Sequence, residues 1–113
     1  MSPMRKHVVI TGAGSGLGAA LAYKYNEQGY FVTLIGRTKV KLEQVAETFE
    51  NSAYAIYPLD VSSFHEVEKV FQQIRGEIQP IDILVNNAGV GHFALAEELS
   101  AEQVDQMIDV NLK

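Results

Sequence analysis

Cysteine is absent from the 113 residues. Disulfides, thiol nucleophiles and thiolate metal sites are therefore excluded. Long apolar runs are absent as well, and none approaches the ~20 residues of a membrane span. The first residues, Met1 to His7, include basic side chains, but only a short apolar run precedes Thr11 and Gly12. That is not a secretory signal, so a cytoplasmic location is expected. Positive charge is in deficit: 9 Lys and Arg against 14 Asp and Glu give a net charge of −5. A nucleic-acid face needs a clustered positive surface, so no nucleic-acid partner is expected, and no membrane partner either. Repeats and low-complexity segments are also missing. What remains is 47% hydrophobic and 20% charged, the composition of a folded domain. The length accommodates one such domain.

The apolar residues fall into an alternating pattern. Short β-branched or aromatic runs at 7–10, 30–35, 53–59 and 81–85 read as strands. Between them lie helical periods. The first covers 16–28, with Leu17, Ala20, Leu21 and Tyr25 on one side and Gly29 as the stop. The second runs from Thr38, as cap, to about residue 50, with the stripe Leu42, Val45, Ala46 and Phe49. The third opens on a capping box, Ser63 with Glu66, and carries Val67, Val70, Phe71 and Ile74. A second box, Ser100 with Gln103, predicts a last helix carrying Val104, Met107 and Ile108. Strands joined by helices must be parallel with right-handed crossovers. The expectation is an α/β Rossmann-like doubly wound parallel sheet of about four strands, order 3-2-1-4, with helices on both faces. Pro58 puts the end of strand 3 at the sheet margin. Ligands of such sheets bind beyond the carboxyl ends of the strands, at the switch point between strands 1 and 4.

The residues that follow the strands are the chemically suggestive ones. Thr11-Gly12-Ala13-Gly14-Ser15-Gly16-Leu17-Gly18 joins strand 1 to helix 1. Gly12 permits a tight turn, Gly16 a close approach of a pyrophosphate, and Gly18 close packing of helix on sheet. The free N–H groups of the helix start would face the phosphates. No Lys-Ser/Thr pair follows the last glycine, which excludes a Walker-type loop. An NAD site commonly has a carboxylate some ~20 residues past this motif, on the ribose 2′-hydroxyl. Here the chain reads Leu34-Ile35-Gly36-Arg37-Thr38, with no acid and an arginine. A guanidinium suits a 2′-phosphate, so NADP(H) is expected ahead of NAD(H). After strand 3, Asp60 is a candidate acceptor for an adenine amino group. After strand 4, Asn86-Asn87-Ala88-Gly89 offers amides that tie loops together and a bare backbone for a cofactor to lie on. Asn111 falls seven residues after Val104, on the apolar side of the expected last helix, where a polar amide must find partners.

Together these motifs resemble the short-chain dehydrogenase/reductase family. The match runs through Thr11-Gly12…Gly16-Leu17-Gly18, Asp60-Val61, Asn86-Asn87-Ala88-Gly89 and Asn111, in order, over essentially the whole chain. The resemblance implies NAD(P)-linked chemistry on a small-molecule carbonyl or alcohol. It implies cofactor contacts at Gly12, Ser15, Gly16, Leu17, Gly18, Arg37, Asp60, Val61, Asn87, Ala88 and Gly89. It makes Asn111 the active-site asparagine, holding a water in a proton relay. It implies no metal. The family's acid/base is a Tyr followed four residues on by a Lys, and none of the five tyrosines here has that neighbour. In the family those residues come later than Lys113. Residues 1–113 are thus expected to be an NADP-binding Rossmann domain truncated before the catalytic Tyr/Lys region, inactive alone, from a natural truncation or a fragmentary gene model. A non-catalytic NADP(H)-binding module is the alternative. A sheet ending at strand 4 would leave Ile83-Leu84-Val85 with an open edge. Weak stability and homo-oligomers formed through that edge or through the helices are the expected result.

Overall fold

The computed structural model describes residues 5–14, 16–60, 64–87 and 104–109. The element order is β1 (His7–Thr11), α1 (Gly16–Glu27), β2 (Phe31–Gly36), α2 (Lys39–Ala46), β3 (Tyr54–Pro58), α3 (Phe64–Glu77), β4 (Ile81–Asn86) and β5 (Val104–Asp109). All four neighbouring strand pairs are parallel, in the order β3-β2-β1-β4-β5. The expected 3-2-1-4 order is therefore present, with β3 and its terminal Pro58 at one edge.

The strands at the centre are buried on both faces, which is why their sequences read as continuous apolar runs. Val8, Ile10, Val32, Leu34 and Val85 pack on one face with Ala22 of α1 and Leu42 and Val45 of α2. Val9, Ile35 and Leu84 pack on the other with Val67, Phe71 and Ile74 of α3. Helices on both faces make the sheet doubly wound.

Three elements differ from the sequence reading. The buried side of α1 is Gly18, Ala22 and Asn26, while Leu17 and Ala20 are exposed and Leu21 and Tyr25 only half-buried. Small residues at an i, i+4, i+8 spacing bring the helix close to the sheet, and the larger apolar ones flank that seam. Helix α2 stops at Ala46, four residues early. Asn26 accounts for this: its buried Oδ1 accepts the N–H groups of Glu50 and Asn51, both at 3.1 Å, and draws the chain off the helical path. The Thr38 hydroxyl makes no capping bond, although its carbonyl accepts the N–H groups of Lys41 and Leu42.

The largest difference is at Val104–Asp109, predicted to be helical and found as strand β5 alongside β4. Its register sets Leu84 opposite Met107 and Val85 opposite Ile108. The expected open edge at Ile83-Leu84-Val85 is thereby covered. Backbone pairing at a strand edge that would otherwise hold unmatched N–H and C=O groups outweighs a short helical period. The boxes at Ser63 and Ser100, and Asn111, lie outside the described residues.

Candidate cofactor site

The loops at the carboxyl ends of β1, β2 and β3 enclose a cleft of about 300 Å³. Short backbone bonds fix its walls. Ala13 N–H donates to the Ile35 carbonyl at 3.0 Å, holding the glycine turn against β2. Leu59 N–H donates to the Gly36 carbonyl at 2.7 Å, holding the exit of β3 against that of β2. Gly12 and Gly14 line the cleft from the turn, and Gly36, Arg37 and Thr38 from the end of β2. Leu59 closes the β3 side, and Lys41 reaches it from α2.

The glycines behave differently from one another. Gly12 and Gly16 have φ of 64° and 59°, the left-handed region where a Cβ is disfavoured. The space around Gly16 is open, with no atom within 4 Å of where its Cβ would stand. That is a bare backbone at a helix start, the feature an incoming phosphate needs. Gly18 is the opposite case. A Cβ there would overlap the Gly12 carbonyl and stand 2.7 Å from Asn87 Nδ2. Only glycine lets α1 start this close to the turn.

Asn87 ties β4 to that turn. Its backbone N–H donates to Thr11 Oγ1 at 2.9 Å, and its Nδ2 to the Gly12 carbonyl at 3.4 Å. The Thr11 hydroxyl in turn faces Asn86 Oδ1 at 3.2 Å. Asn87 Oδ1 is buried and has no hydrogen-bond partner. A buried acceptor in that state demands a donor, and it stands beside the glycine turn.

Arg37 is exposed at the mouth of the cleft. Among the described residues neither Arg37 nor Lys41 takes part in an ion pair or a side-chain hydrogen bond. Among the described residues no carboxylate lines the cleft, and Leu59 rather than its exposed neighbour Asp60 forms its wall. Leu17 is exposed at the start of α1. Ser15, Val61, Ala88, Gly89 and Asn111 lie outside the described residues. The sequence reading gave Thr11 a place in the motif but no role of its own, and passed over Lys41. A lysine three residues past the Thr38 cap shares the first helical turn with it, and that spacing was the available signal.

Two of the tyrosines have shifted hydroxyls. Burial raises the Tyr25 hydroxyl above its ordinary pKa, with Tyr30 adding to the effect. Burial and the Glu77 carboxylate raise Tyr57, whose hydroxyl donates to Glu77 Oε1 at 3.2 Å. Both move away from the tyrosinate a general base requires. The described residues form no cluster of His, Asp and Glu able to hold a metal ion, and no helix among them is long and apolar enough to cross a membrane.

These features define a Rossmann-like, doubly wound α/β sheet, and comparison with known proteins gives its family. The short chain dehydrogenase family matches residues 6–113, and the chain belongs to it. An uncharacterised oxidoreductase of Staphylococcus aureus is 36% identical over 108 residues, covering 96% of this chain and 47% of that protein. A counterpart in Staphylococcus epidermidis is 34% identical over 96% of this chain and 46% of its own length. The chain thus spans about half the length of the curated relatives it matches. Among solved structures, a short chain dehydrogenase from Bacillus anthracis is 35% identical with a TM-score of 0.69, covering 87% of this chain and 40% of that one. YwfH, an NADPH-dependent reductase involved in bacilysin biosynthesis, is 25% identical with a TM-score of 0.70, over 74% and 35%.

Proposed function

We propose that this chain is the cofactor-binding part of an NADP(H)-dependent oxidoreductase that interconverts a carbonyl and a secondary alcohol. The observation that carries the reading is a cleft at the end of β2 whose described lining includes Arg37, which has no ion pair among the described residues, and includes no carboxylate. A ribose 2′-hydroxyl is normally held by an acid at this point, whereas a 2′-phosphate wants a cation. The NADPH dependence of the structurally similar YwfH agrees with this.

The residues present suit the cofactor. Gly12, Gly16, Leu17 and Gly18 form the bed for the pyrophosphate, where helix α1 begins. The family resemblance assigns Ser15 to the adenosine half and Val61, Asn87, Ala88 and Gly89 to the cofactor surface, with Asp60 the candidate acceptor for the adenine amino group. The orphaned Asn87 Oδ1 gives that surface an acceptor for a bound donor, direct or through a water. When bound, the nicotinamide supplies or takes up the hydride of the reaction. Asn111, through the family resemblance, holds a water of the proton relay.

Arg37→Asp tests the reading. With the charge reversed, NADPH affinity measured by fluorescence titration is expected to fall at least about tenfold while NADH binding holds or improves. An unchanged ratio of the two affinities would remove Arg37 from the 2′-phosphate.

A further inference from the structure

The second cation of the cleft has no role in the reading above. Lys41 sits in the first turn of α2, and its stem lies against the glycine turn. A Cβ placed on Gly14 would stand 3.2 Å from Lys41 Cβ and 3.9 Å from its Cδ. The bare Gly14 therefore makes the room in which the lysine stem runs along the cleft wall. Lys39, two residues earlier on the same helix, is exposed and does not line the cleft. Among the described residues of that lining, Lys41 and Arg37 are the charged ones, in a chain whose net charge is −5. The Thr38 hydroxyl, also in the lining, spends nothing on capping its helix.

We propose that Lys41 is a second specificity-determining residue, sharing the 2′-phosphate of NADP(H) with Arg37. The inference rests on the NADP(H) reading and goes beyond it. A phosphate monoester carries a charge of about −1.5 to −2 near neutrality, more than one guanidinium balances. Arg37 offers a planar fork of donors, and Lys41 adds a compact point charge. NAD(H) carries a hydroxyl in place of that phosphate and offers neither cation an anionic partner, so the discrimination comes from the charge pairing that only NADP(H) supplies.

Calorimetric titration of the chain with adenosine 2′,5′-bisphosphate and with 5′-AMP isolates the phosphate from the rest of the cofactor. The chain is expected to bind the bisphosphate more tightly than AMP. Lys41→Ala should weaken the bisphosphate about tenfold and leave AMP within about twofold. Lys41→Arg should restore most of the loss, and Lys39→Ala should change neither ligand. If the unaltered chain does not distinguish the two nucleotides, the NADP(H) reading fails and this inference falls with it. If it does distinguish them but Lys41→Ala keeps the same ratio, or Lys39→Ala loses as much, the role of Lys41 alone is overturned.

Discussion

His7 occupies the end of β1 remote from the glycine turn and is fully buried. Its Nδ1 lies 3.1 Å from the Gln79 carbonyl and its Nε2 2.7 Å from Thr33 Oγ1. A carbonyl only accepts, so Nδ1 carries the proton and Nε2 accepts from the threonine hydroxyl. The ring is neutral in that arrangement. Burial lowers its pKa below the ordinary 6.5, against the opposing pull of the Gln79 and Pro80 backbone and the Asp82 charge. The unfolded chain therefore takes up the proton first as pH falls. Stability is full above a pH of about 6.5 and declines below it until the folded pKa is reached. The urea midpoint is expected to drop between about pH 7.5 and 5.5, and to drop less in His7→Gln. Equal pH dependence in the two chains would contradict this account of His7. The residue scale also shows what sequence reading can and cannot see. Asn87 was legible only as an amide able to tie adjacent loops, which its bond to the Gly12 carbonyl does, since an Asn-rich turn is by itself ordinary. Lys41 was not, because a lysine on an exposed helix looks the same as Lys39 until the cleft exists.

At the scale of elements, the contact between α1 and the glycine turn is the one that positions the site. Gly18→Ala would drive a methyl group into the Gly12 carbonyl and toward Asn87 Nδ2. Overpacking of this kind costs about 1–3 kcal/mol, and the displaced helix start should weaken cofactor binding as well. Gly76→Ala, near the end of α3 in open space, is the matched control and should stabilise by about 0.4–1 kcal/mol. Thermal unfolding of the two variants checks the pair, and similar behaviour would contradict the packing argument. Strands β1, β2 and β4 were legible because a buried parallel strand must be a short run of β-branched or aromatic residues, and the edge strand β3 because its half-buried run ends at Pro58. The buried seam of α1 was not, since Gly18, Ala22 and Asn26 carry little hydrophobic signal and are chosen for size. Residues 104–109 were misread because a six-residue stretch fits both periods, and only the free edge of β4 decides between them.

For the whole molecule, fold and function divide along the chain. Two cores, one on each face of the sheet, are built from described residues and hold three strand ends in a fixed relation. That relation creates a cleft where, among the described residues, Arg37 and Lys41 stand without an ion pair, in a chain of net charge −5. Under the proposed reading, the missing carboxylate after β2 and the arginine that stands there favour NADP(H) over NAD(H). Titration of the chain with NADPH and NADH, followed by nicotinamide fluorescence, tests this most directly. The account predicts that NADPH binds at least about tenfold more tightly than NADH. Equal affinities, a preference for NADH, or no binding of either would contradict it.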